Sequence, residues 1–185
     1  MVFPLATEGR SIMSLSFYDF SVASYLQVLG GVKTALAKAV THSEETGLDL
    51  SSVVDFRLHE DMLPFSFQVI SVWHHSLGAL KGLQAGVFEP PPAMEPLDFA
   101  GLQGLVEEAI AYCTAQTPEA VNALAGGPMV FRIRGREMPF TTDNFLLSFS
   151  LPNVYFHATT TYSILRHLGV PLGKIDYLGQ LRLGA

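Results

Sequence analysis

The chain is short of cysteine, of charge and of long apolar runs, and each shortage excludes something. Its one cysteine, Cys113, rules out an internal disulfide and any cysteine-based zinc site. That fits a reducing compartment, and the expected location is the cytoplasm. Only 15% of the 185 residues are charged, the formal net charge is −6, and the 11 basic residues form no run or stripe. Nucleic-acid binding depends on neutralising phosphates, so no nucleic-acid partner is expected. No apolar stretch reaches the roughly 20 residues that span a bilayer, so no membrane partner is expected either. The opening MVFPLATEGRSI lacks the basic front and apolar centre of a secretory signal. Residues 1–13 read as a flexible arm ahead of one domain over 14–185.

What is present is core material. Hydrophobic residues make up 49% of the chain, with 13 Phe, 6 Tyr and 1 Trp. The apolar spacing predicts a first helix from about Tyr18 to Thr46, closed by Gly47, with Gly30 and Gly31 marking a close helix crossing. A short helical turn is expected around Ser51 to Phe56. A second helix is expected from Pro64 to about Lys81, before Gly82. The proline-rich AGVFEPPPAMEP is read as irregular. Asp98 reads as the N-cap of a third helix. The alternating PMVFRIRGREMPFT predicts a small β-hairpin turning at Gly135. Thr142 or Asp143 then caps a fourth helix ending at Gly169. The expected class is all-α: a helix bundle with a small hairpin.

The segment LPNVYFHATTTYSILRHLGV, Leu151 to Val170, carries the candidate chemistry. Asn153, His157 and Thr161 stack at intervals of four on one helix face, with Thr160 beside them. Pro152 removes a backbone hydrogen bond inside the helix and should bend it near Ser148, beside this polar stripe. On the second helix Phe67, Ile70, His74 and Leu77 share one face, while Gln68, Ser71 and His75 share the next. The apolar company of His74 favours it as the inward residue, with Trp73 and His75 as neighbours able to line a pocket. Two histidines on facing helices can share a metal, relay a proton or simply hydrogen-bond. The plainer alternatives are a buried histidine pair satisfied by its neighbours, and threonines bonded back to carbonyls one turn earlier. His42 and His167 read as helix C-terminal caps, His59 as an exposed residue, and Arg132, Arg134 and Arg136 as the solvated side of the hairpin.

The block LPNVYFHATTTYSILRHLGVPLGKIDYLG, with YDFSVASYL and RLHEDMLPFSFQV, resembles the family called domain of unknown function 1993, a branch of the DinB/YfiT-like helical bundles. The likeness runs from about Ser14 to Gly179. It implies a four-helix bundle, frequently dimeric, with a divalent metal held by three histidines, in a superfamily that includes thiol-dependent transferases and isomerases. Aligned on Gly169, His157 falls on one metal ligand, Asn153 on a position where the superfamily has histidine, and His74 near the ligand of the second helix. Zinc, nickel or iron would suit such a site. Asp176 and Tyr177 match the family's closing motif and are expected to fold back over the end of the bundle.

Together these readings predict a homodimeric small-molecule enzyme. His157 and His74 would be the catalytic acid and base, and Asn153, Thr161, Thr160, His75, Trp73 and Tyr177 would hold an apolar or aromatic substrate. Proton transfer without a cofactor is the preferred chemistry. A metal-dependent transferase or hydrolase using His74, His157 and Asn153, and a non-catalytic dimeric binding module, are the alternatives.

Overall fold

The computed structural model describes residues 15–183, so the proposed N-terminal arm lies outside the described residues. The body is helical, and several of its helices begin where a side chain satisfies a free amide. Ser16 caps a short α1 (Phe17–Phe20) through a reciprocal bond with Asp19. After a break at Ser21, α2 runs over Val22–Thr46 and ends on left-handed Gly47. The first predicted helix is thus two pieces. Asp49 caps α3 (Leu50–Asp55). Asp98 caps α6 (Phe99–Thr114) through Gly101 N. Thr117 caps a short α7 (Pro118–Asn122), which the periodicity did not predict.

The second and fourth predicted helices each contain a turn of π-helix. In the second, α4 (Phe65–Trp73) passes into a π turn over His74–Gly78 and then α5 (Ala79–Ala85), which ends at left-handed Gly86 rather than before Gly82. In the fourth, Thr141 is the cap instead of Thr142 or Asp143. It starts α8 (Thr142–Phe145), followed by a π turn over Leu146–Ser150 and then α9 (Leu151–His167). The irregularity expected at Pro152 therefore takes the form of a wide turn just before it, in an otherwise continuous helix. The last helix is α10 (Lys174–Leu178).

Helices α2 and α4 both pack against α6 and α9. Between them lies one core that includes Tyr25, Leu29, Leu36, Phe65, Leu80, Leu102, Phe145 and Ile164. The predicted hairpin is present as β2 (Pro128–Ile133) and β3 (Arg136–Thr141). Arg134 and Gly135 both adopt positive φ, the pairing that a two-residue hairpin turn requires. The region read as irregular supplies a third strand: β1 (Val87–Phe88) pairs parallel to β2, setting Phe88 beside Phe131. That register carries Phe88 into an aromatic group with Phe131, Phe145 and Phe149. No helix among the described residues is long and apolar enough to cross a membrane.

Candidate functional site

The site is built where the two π turns meet. The Ser150 hydroxyl, in the second turn, donates to the His75 carbonyl in the first at 2.8 Å. The fully buried Tyr25 hydroxyl, from α2, lies 2.7 Å from Ser150 Oγ. Ser150 spends its hydrogen on the carbonyl, so Tyr25 is the donor to it. One hydroxyl chain thus ties three helices together at the level of the irregular turns, and burial pushes the Tyr25 phenol well above its ordinary value, which keeps it protonated. Single π turns within α-helices recur at functional sites because they displace side chains from the regular register.

On α4 the buried face toward α9 is the polar one. Gln68, Ser71 and His75 are all buried, whereas Phe67 and Ile70 are only partly so. The expectation that His74 faces its partner histidine is therefore corrected. His75 is the residue whose ring lies near-parallel to His157, with centroids 6.0 Å apart. His74 is buried too, because the π turn inserts one residue and swings both imidazoles inward. It turns instead toward the sheet, stacked at 4.5 Å on Phe88, with Nε2–H donating to the Glu89 carbonyl at 2.8 Å. Its ring folds over Gly78, where an added Cβ would come within 2.7 Å of Nδ1.

Gln68 orients His157. Its amide nitrogen donates to the Leu63 carbonyl at 2.9 Å, which leaves Oε1 as the atom facing His157 Nδ1 at 2.8 Å. An amide oxygen can only accept, so His157 carries its proton on Nδ1 and presents Nε2 as a lone pair. His75 Nδ1 is buried without a hydrogen-bond partner. Burial holds all three imidazoles neutral: it pushes His157 down to about 4, lowers His74, and, with His74 and His157 adding repulsion, takes His75 to about 3. Phe67 and Phe156 meet the His157 ring edge-on, and Phe88 and Phe149 flank His75.

The other predicted residues fall away from this pair. Asn153 donates its amide to the Phe149 carbonyl, and Thr160 and Thr161 donate to Phe156 and His157 carbonyls one turn back. The two threonines take the bonded-back alternative, and Asn153, expected to face the histidines, bonds back in the same way. Trp73 reaches the other way, to Glu108 on α6. Tyr177 accepts from Thr159 and packs with Tyr162 against α2, at the middle of that helix rather than over its end. Gln68 is the site residue missed as a candidate. Its spacing of seven from His75 was the available signal. The cleft of about 420 Å³ beside Gln27 and residues 180–183 lies apart from the histidines; His74 and His75 are packed among Phe88 and Phe149, and His157 is the half-buried member of the group.

The resemblance implies a three-histidine metal site, and the residues present do not fit one. His157 offers a single nitrogen, His75 offers one more, and Asn153 has its amide committed to its own helix. Among the described residues no three His, Cys, Asp or Glu stand together as metal ligands, where three good donors are the usual minimum.

A family model described as Domain of unknown function (DUF1993) matches residues 17–178. Among solved structures the chain is similar to a DinB family member protein from Shewanella denitrificans. Identity is 25%, the TM-score is 0.77, and 91% of this chain and 94% of that one are covered. Among proteins of curated function there is no match.

Proposed function

The chain belongs to the DUF1993 family, and from that premise we propose that it is a small-molecule enzyme of DinB-like, four-helix-bundle type that transfers a proton at His157. One observation carries the reading: Gln68 holds the imidazole with Nε2 unprotonated and partly exposed, beside a second neutral imidazole and phenyl rings. A neutral imidazole with a fixed lone pair is a base ready to act at neutral pH. The substrate is largely apolar or aromatic, and the reaction is an isomerisation, cyclisation or elimination begun by removing a proton. His75 replaces His74 as the complement of His157. The expected assembly remains a homodimer in the cytoplasm, and sedimentation as a 20.1 kDa species at micromolar concentration would remove that part.

A proton-transfer enzyme labels its substrate from solvent, which gives a test that needs no prior substrate. A metabolite extract incubated in heavy water with the protein should gain deuterium in at least one compound. His157→Ala should abolish that label while keeping the helical spectrum. Absence of any protein-dependent label sinks the reading. It would favour a binding module without turnover, which the self-satisfied Asn153, Thr160 and Thr161 support.

A further inference from the structure

We propose that the His75–His157 site takes a neutral aromatic molecule bearing a hydrogen-bond donor, a phenol-type hydroxyl being the simplest case, and that Gln68 is the positioning residue that sets this preference. The inference rests on the proton-transfer reading for the location of the site and adds the class of ligand.

The argument begins with what each polar atom can still do. The Leu63 carbonyl fixes the Gln68 amide, the Gln68 oxygen consumes the Nδ1 proton of His157, and Nε2 is left as an acceptor. No amide flip is free to reverse this, because it would oppose Gln68 Oε1 to the Leu63 carbonyl. An anionic ligand needs N–H groups or a cation. The exposed face of His157 offers it a lone pair, which repels. Arg132, on the adjoining sheet, is already shared between Glu89 and Glu137, and Arg134 and Arg136 lie at the turn end of the hairpin. His74 Nε2–H is committed to Glu89 O.

The walls select the rest of the molecule. Phe156 and Phe67 meet the half-buried His157 ring edge-on at 5.1 and 5.8 Å, and the exposed Phe156 flanks it where solvent reaches. These rings suit an aromatic body, which prefers edge and offset contacts of this kind. A hydroxyl on that body meets the acceptor that the protein leaves unused. A purely apolar ligand would bury Nε2 without a partner, at a cost that a single hydrogen bond removes.

The test uses the full chain, labelled with ¹⁵N at histidine, and three single-ring probes: phenol, benzoate and toluene. In the unliganded protein the ¹⁵N shifts report the tautomer, and His157 is expected as the Nδ1–H form. Phenol should move the Nε2 signal of His157 and bind about tenfold more tightly than toluene or benzoate, the ratio that one net hydrogen bond supplies. Gln68→Leu removes the acceptor of the Nδ1 proton. It should shift His157 toward the Nε2–H form and erase the advantage of phenol over toluene. The proposal is overturned by an Nε2–H tautomer in the wild type, by benzoate binding as tightly as phenol, by a phenol advantage that survives Gln68→Leu, or by no probe reaching His157. Should Gln68→Leu fail to fold, the wild-type tautomer and the probe ranking still decide. None of these readouts needs turnover, so the ligand class and the proton-transfer reading can fail separately.

Discussion

The seam between α10 and α2 and the layer between the two π turns are both close-packed, but they are held in opposite ways. At the seam, Gly31 brings the α2 backbone directly against the Tyr177 carbonyl, and a Cβ there would come within 2.3 Å of it. Gly179 approaches the Gln27 carbonyl in the same manner, and Lys38 pairs with Asp176 at 2.7 Å. Between the π turns, by contrast, two neutral imidazoles are buried, a third is half-buried, and one buried nitrogen has no partner. The seam fastens the C-terminal segment through backbone shape. The π layer retains polar groups that a purely structural core would exclude, and such departures from local economy concentrate where chemistry is done.

The comparison breaks most visibly at the seam. Gly31→Ala should cost about 1–3 kcal/mol, the usual penalty for forcing a group into filled space, and should release α10 first. Gly30→Ala, one residue away with nothing within 4 Å, should instead gain about 0.5–1 kcal/mol, because alanine favours helix. Urea titration of the pair measures both, and equal effects would dissolve the distinction.

Acid should reach the π layer before the seam, where the Gly173 amide and Lys38 hold the Asp176 carboxyl below its ordinary range. His75 and His157 are neutral when folded but protonate near 6.5 when unfolded. Acid therefore draws the equilibrium toward the unfolded chain, which binds more protons. Stability fully present above about pH 6.5 should fall as pH drops toward about 4 for His157 and about 3 for His75. Melting temperature against pH should show this limb, and His75→Leu should flatten it. An unchanged limb would mean that carboxylates elsewhere produce it.

The smallest expected effect separates the hydroxyl chain from the histidines. Tyr25→Phe removes the donor to Ser150 but leaves Ser150 bonded to the His75 carbonyl, so the loss should be about 0.5–1.5 kcal/mol. The acid limb should keep its shape. If it moved, the chain would be setting the histidine environment as well as tying the helices.

Much of the fold could be read along the chain because its causes are local. Helical periodicity, the Asp98 cap, Gly47 and Gly169 as stops and the Arg134–Gly135 turn each depend on a few neighbouring residues. The family likeness in the C-terminal block was equally a property of the string, and the family model bears it out. His157 as the central candidate came from the spacing of polar residues on one predicted face. The crossing expected at Gly30 and Gly31 is met at Gly31, although the partner is the Tyr177 backbone.

Tertiary structure decided the rest. Face arguments assume about 100° per residue, and a π turn adds one residue. That is enough to bury His74 and His75 together and to give His157 a different neighbour. Pairing Val87–Phe88 with a strand some 43 residues onward leaves no local mark on the sequence. The direction of the Gln68 amide depends on the Leu63 carbonyl, and the free nitrogen of His157 depends in turn on Gln68. Residue type and spacing determined that a histidine would stand on this helix. Only contacts between α4 and α9 determined which of its nitrogens is free, because hydrogen-bond direction belongs to the pair and not to either residue.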